Sequence, residues 1–183
     1  PVHRFIEAVI NPDGFSFSVS EEDGSIFAMA LGEIPTILEC DRLATSRGVL
    51  VDLNKFEHRG NWDFYSFDTF AFQDNERAIE CENNLEIREL LEKHAPNSSV
   101  WPGNPEILFW GEVREDNLLV STGALVKWRT GQVMFSSIAT HTDFRGKGYA
   151  QKLVQEMAST AAARGIKHLG LGVAAENVAA KNA

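Results

Sequence analysis

Cysteine is scarce in this chain: Cys40 and Cys81 are its two thiols, far apart and with no Cys-x-x-Cys spacing. The spacing reads as reduced, structural thiols in a cytoplasmic protein rather than a disulfide or a reactive pair. Histidines are isolated as well. His3, His58 and His94 have no partner at metal-ligand spacing, so no metal is expected. No apolar run approaches the ~20 residues of a membrane span, and no signal-like segment opens the chain. The chain begins at Pro1 rather than methionine, so a trimmed amino terminus is expected. Basic charge is in deficit, with 17 Lys and Arg against 26 Asp and Glu for a net charge of −9. That balance excludes generic binding to nucleic acid or to an anionic membrane, and any basic site has to be local.

What is present is ordinary in bulk. The 183 residues are 44% hydrophobic and 23% charged, which suits one folded domain with a substantial core or one domain plus a small appendage. The informative stretch is 136–150, SSIATHTDFRGKGYA. A β-favouring run over 133–140 ends there, and past Arg145-Gly146-Lys147-Gly148-Tyr149-Ala150 a helix-forming segment begins. Two glycines at such a junction allow a sharp turn and a close approach to a ligand, and they leave N–H groups at the helix head free for an anion. The helix N-terminus and the side chains of Arg145 and Lys147 favour a phosphate in that place. A plain strand-to-helix turn also uses glycine, so this pattern by itself leaves both readings open. Other glycine loops fit poorly: G-x-x-x-x-G-K-[ST] is absent, and G-x-G-x-x-G would need glycine where Gln151 stands.

The remaining elements follow from period and punctuation. Residues 1–75 read as a β-rich extension, with a hairpin over 15–31 and either further strands at 34–40 and 48–53 or a short helix at 41–45. The aromatic run 62–72 reads as core or interface packing, with an apolar acceptor pocket as the alternative. Residues 74–82 form a connector. A helix over 85–94 is capped by Asn83 or Asn84, and 97–105, with its two prolines and glycine, is a loop in which Trp101 either anchors the loop or touches the acceptor. Strands at 107–114, 118–128 and 132–140, joined by short turns, are antiparallel neighbours. A helix over 147–164 ends at Gly165, and the strand 167–173 lies parallel to the one before the glycine loop.

Arg145-x-x-Gly148-x-Ala150, after a strand ending Ser-Ser-Ile-Ala-Thr, resembles the acyl-CoA pyrophosphate loop of the GNAT acyltransferase superfamily. The order of elements over 83–183 is similar to an FR47-like acetyltransferase domain. The resemblance implies an α+β fold of the GNAT type: a mixed, mainly antiparallel central sheet flanked by helices, with one splayed and bulged strand. It implies that main-chain groups of Ile138, Ala139 and Thr140 pair with pantetheine. Arg145, Gly146, Lys147, Gly148, Tyr149 and Ala150 would surround the pyrophosphate, and Asn177, in an N-x-x-A pattern, would be a further cofactor contact. Asn177 is also the residue to cap the helix it precedes. Acetyl-CoA is then the co-substrate, and the implied acceptor is a small-molecule or protein amine. A homodimer is compatible with the resemblance.

No carboxylate stands on the bulged strand. Glu112, His141 and Glu176 are therefore the candidates for the general base. The resemblance further implies that a tyrosine and two more strands follow Ala183, and that without them a sheet edge is uncovered. A non-catalytic acyl-CoA sensor and a mononucleotide-binding regulator are the alternatives from other classes.

Overall fold

The computed structural model describes residues 4–72, 76–128 and 131–181. His3, Asp74 and Asn75 of the expected connector, the expected turn at Arg129 and Thr130, and Asn182 and Ala183 lie outside the described residues. The chain divides into two compact units, Pro1–Arg59 and Gly60–Ala183.

The first unit is a four-stranded sheet of β1 (Arg4–Asn11), β2 (Gly14–Ser20), β3 (Ile26–Gly32) and β4 (Arg42–Thr45), in that order. The hairpin expected over 15–31 is β2 and β3, paired antiparallel from Gly14 opposite Gly32 to Ser20 opposite Ile26. Its turn closes through the Glu21 amide donating to Ser25 O at 2.8 Å, with Gly24 at a φ of 83°. Beyond it the structure differs from the expectation. Residues 34–40 and 48–53 form no strand, and Arg42–Thr45 is a strand parallel to β3 rather than a helix. Asp41 sets this register from both ends of the residue, because its amide donates to Ile26 O while its carboxylate accepts from Ile26 N.

The second unit carries a six-stranded sheet in the order β5-β10-β9-β8-β7-β6. Its strands are β5 (Trp62–Asp68), β6 (Ile79–Glu80), β7 (Ile107–Glu115), β8 (Leu118–Lys127), β9 (Val133–Thr140) and β10 (His168–Ala174). Period-two alternation splits its side chains between two cores. Phe109, Val120, Leu125, Phe135 and Leu169 meet Leu153, Met157, Ala158 and Ala161 of α2 (Tyr149–Ala163). Trp110, Ala124, Val126 and Met134 meet Ile87, Leu90 and Leu91 of α1 (Asn84–His94) on the opposite face. Asn83 caps α1 by accepting from the amides of Leu85 and Glu86, a cap worth about 1 kcal/mol. The last described element is the short α3 (Val178–Lys181).

Two expectations are corrected here. Trp62–Asp68 belongs to the second unit: every residue of β10, from His168 to Ala174, pairs antiparallel with β5. The β10 edge expected to be open is thereby covered by a strand from upstream, which satisfies its backbone groups. Within the expected connector, Ile79 and Glu80 pair with Glu112 and Gly111 of β7.

Candidate functional site

The site begins with a fault in β9. Ala124 of β8 faces Ser136 and Thr122 faces Ala139, so Ser137 and Ile138 together oppose Gly123. The extra residue is a β-bulge, and Ser137 takes a left-handed φ of 52° to make it. Such a conformation disfavours a side chain by roughly 1 kcal/mol or more, and here it is held by the loop after α1. The Val100 amide donates to Ser137 Oγ at 2.9 Å, and that hydroxyl donates to Val100 O at 2.8 Å. Ser99 and Ser136 hydroxyls also pair, at 2.9 Å. Trp101 donates its indole N–H to Ser98 O and packs on the α1-side core, so it anchors this loop.

The bulge is also where β9 leaves β10. The parallel pairing consists of Met134 with Gly170 and Phe135 with Leu171, and from Ser136 onward β9 pairs with β8 alone. The result is a V whose β9 arm carries Ile138, Ala139 and Thr140 with no strand partner on the β10 side. An extended ligand can add to that arm as a strand would.

At the open end of the V the chain makes a 3-10 turn (Thr142–Phe144) and then the glycine turn. Gly146 and Gly148 lie at φ of 74° and 82°, and Gly148 is the N-cap of α2 with no side chain capping it. Lys152 N is the first amide to enter the helix ladder, donating to Gly148 O. Among the described residues no acceptor faces the amides of 146–151. A Cβ placed on either glycine would meet nothing within 4 Å. Open space, unpaired N–H groups and the positive end of a 15-residue helix are together the features with which a backbone can receive an anion.

The side chains around that turn are divided. Lys147 Nζ sits 4.7 Å above the Phe144 ring, exposed and available to a phosphate. Arg145 is used differently: its Nε donates to Thr140 O at 3.1 Å and its Nη2 to His94 O at 2.7 Å, tying the turn to the end of α1. Tyr149 donates its hydroxyl to Glu115 at 2.7 Å, and Ala150 follows half-buried. Asn177 caps α3, accepting from the Ala180 amide at 3.1 Å.

The three candidate bases are scattered. Glu112 lies on β7, two strand spacings or about 10 Å from β9 across the sheet. Arg114 grips it with two bonds of 2.9 Å and also reaches Glu86. Burial pushes the Glu112 carboxyl up, but hydrogen bonds from Arg114 and Cys81 outweigh burial and hold it below the usual range. Burial, then the Glu112 contact, pushes the Cys81 thiol up to about 11, so it is a structural thiol. His141 caps the 3-10 turn by accepting from Asp143 N, and its ring lies 4.0 Å from that of His94. His94 accepts from Thr142 N at 3.3 Å; burial, then His141 and Arg145, hold it below the ordinary histidine value. Glu176 is exposed in the turn after β10. Among the described residues no His, Cys, Asp or Glu cluster has metal-holding geometry.

Reading the sequence missed three participants. The strand Trp62–Asp68 carries polar and apolar residues on both faces, so no alternation marked it as a strand. The bulge-holding role of Ser137 and the clamp formed by Arg145 have no local signature.

A family model described as Acetyltransferase (GNAT) family matches residues 50–183. Among solved structures, a GNAT-family protein from Novosphingobium aromaticivorans superposes with a TM-score of 0.52 at 19% identity, over 65% of this chain and 55% of that one. That identity shows a shared fold, and the matched region spans about half the length of that protein. No curated protein matches the sequence. The family match covers well over half of the chain and takes in the bulged strand, the glycine turn and α2, so this protein belongs to the GNAT acetyltransferase family.

Proposed function

We propose that the protein transfers an acetyl group from acetyl-CoA directly to an amine, as an FR47-like member of the family acting in the cytoplasm. The observation that carries this reading is the row of unpaired amides at 146–151 beside a V in the sheet. The amides and Lys147 bind the pyrophosphate. Arg145 supports the turn through His94 O rather than by touching phosphate. The backbone of Ile138, Ala139 and Thr140 pairs with the pantetheine amides, and Asn177, which caps α3, is the further cofactor contact.

In the transfer, the amine lone pair attacks the thioester carbonyl, a C–N bond forms, and the C–S bond breaks as the thiolate leaves. The Ile138 amide, freed by the bulge, supplies a hydrogen bond to the oxyanion. Glu112 is committed to Arg114 and serves the fold, so the amine proton departs through water, with Glu176, exposed in the turn after β10, as the candidate carboxylate to receive it.

The test is thermal protection and thiol release. Acetyl-CoA and CoA raise Tm more than ATP or GTP, and CoA thiol appears with an amine in an amine panel. Protection by ATP or GTP above that by CoA contradicts the reading. Binding without thiol release for any amine makes the protein an acyl-CoA sensor.

A further inference from the structure

We infer that Ser137 is a positioning residue for the transfer: its hydroxyl, bonded to both backbone groups of Val100, fixes the peptide that carries the Ile138 amide assigned above to the oxyanion. This rests on the acetyl-transfer reading and adds the residue that sets its geometry. The residue type is the first sign. Among the described residues a positive φ otherwise falls on glycines and on Asp116 and Asn117 of the β7–β8 turn, while Ser137 sits inside a strand. Glycine takes such a φ without strain. A serine at 52° is therefore explained by what glycine lacks, the hydroxyl.

The bonds of that hydroxyl close a ring. It accepts from the Val100 amide at 2.9 Å and donates to Val100 O at 2.8 Å, so one side chain holds both backbone groups of one residue. Val100 is held in turn. Ser98 bonds back to Ala95 O through its amide at 3.0 Å and its hydroxyl at 2.7 Å, and the Trp101 indole donates to Ser98 O at 2.9 Å. The tether runs from the end of α1 to the bulge.

The sheet closes on the same peptide from the other side. Ser136 pairs with Ala124 and Ala139 with Thr122, so the chain is set on either side while the peptide joining Ser137 to Ile138 lies outside the β8 pairing. A Cβ on Gly123 would come to 3.2 Å from Ile138 Cγ1 and 3.6 Å from Ile138 Cα, so glycine lets Ile138 lie close on β8. What is left to fix is rotation of that one peptide. Ser137 ψ and Ile138 φ set the direction of the Ile138 N–H, and the Val100 bonds oppose a return of Ser137 to negative φ. Ser136, Ser137 and Ile138 are half-buried between buried neighbours, so a ligand can reach them. An oxyanion donor acts only when aimed at the developing charge, and a misplacement of about 1 Å costs on the order of 100-fold in rate.

The experiment uses the full chain and follows CoA thiol release from acetyl-CoA at a fixed concentration of hydroxylamine, a small nucleophile that needs no acceptor pocket. Ser137→Gly accepts the positive φ and loses both bonds to Val100. It is expected to lower kcat by ~100-fold while KM for acetyl-CoA and the thermal shift produced by CoA persist. Ser137→Asn tolerates the same φ, offers a carbonyl to the Val100 amide and an NH2 to Val100 O, and should restore kcat to within about tenfold of the unmodified chain. A kcat for Ser137→Gly within about threefold of the unmodified chain overturns the inference and leaves the transfer reading standing. A loss that Ser137→Asn does not recover, or that falls equally on KM and on CoA binding, makes Ser137 a structural residue and also overturns it. Absence of thiol release, or of any CoA thermal shift, in the unmodified chain overturns the transfer reading and the inference with it.

Discussion

The two sheets of this molecule bury polar groups in opposite ways. Among the described residues of Pro1–Arg59 the buried apolar side chains are Ala28, Ala30 and Leu38, and the hydroxyls of Ser16 and Ser18, each about 1% exposed, have no hydrogen-bond partner among the described residues. In Gly60–Ala183 two apolar clusters sandwich the sheet, and its buried hydroxyls are satisfied: Ser121 donates to Ala139 O at 3.0 Å and Thr122 to Gly111 O at 2.8 Å. The second sheet can therefore hold a strained bulge and an open V. The first has little apolar mass with which to hold a ligand site in place.

The largest test of that contrast is Gly148→Glu. The substitution puts a carboxylate where a Cβ now meets open space, in a left-handed position, beside the amides of 146–151. Like charges about 4 Å apart repel by about 4 kcal/mol at an intermediate dielectric, so acetyl-CoA affinity is expected to fall by ~100-fold or more by calorimetry. The sheet of Pro1–Arg59 should keep its hydrogen-exchange protection. Unchanged affinity would show that the anion site lies elsewhere.

Next comes Arg114→Ala, which leaves Glu112 buried beside Cys81 without its cation. Breaking such a pair costs about 3 kcal/mol, read as a loss in denaturant midpoint. Its counterpart in the first unit is Arg42→Ala, which removes the more exposed pair with Glu21 and should cost under about 1 kcal/mol. Equal costs would erase the contrast.

A sharper version compares one substitution in both sheets. Ser121→Ala removes bonds to Ala139 O and Thr140 and should destabilise by about 1 kcal/mol, whereas Ser16→Ala removes an unpaired buried hydroxyl and should stabilise by a similar amount. Equal signs would mean that Ser16 has a partner in solution.

The smallest effect concerns pH. Because burial, then His141 and Arg145, lower the His94 value, the folded state binds fewer protons there than the unfolded chain. Its stabilisation is complete above the unfolded value of about 6.5 and is lost as pH falls through that value toward the lower folded one. Protonated His94 can no longer accept from Thr142 N at Nδ1, so acetyl-CoA affinity should weaken modestly below pH 6.5, and His94→Gln should flatten that slope. A slope surviving in His94→Gln would assign the titration to another group.

How much of this was legible in the sequence depended on range. Elements set by local chemistry could be read: an asparagine cap at 83 or 84, the meander β7 to β9, and Gly146 and Gly148 at the head of α2. Elements set by distant partners could not. Trp62–Asp68 is a strand because β10, about a hundred residues away, gives it hydrogen bonds, and Arg42–Thr45 is one because β3 lies beside it. For the site, the glycine turn was visible because glycine is needed where φ is positive. Arg145 read as a phosphate ligand because charge shows in sequence and geometry does not; its bonds to Thr140 O and His94 O turn it into a clamp.

The most direct measurement is a titration of the full chain with CoA followed by amide nitrogen–proton NMR. The account predicts that the largest shifts fall on the amides of 146–151 and on Ile138, Ala139 and Thr140, with the amides of 4–59 nearly still. Shifts confined to other residues, with 146–151 unmoved at saturating CoA, would contradict it.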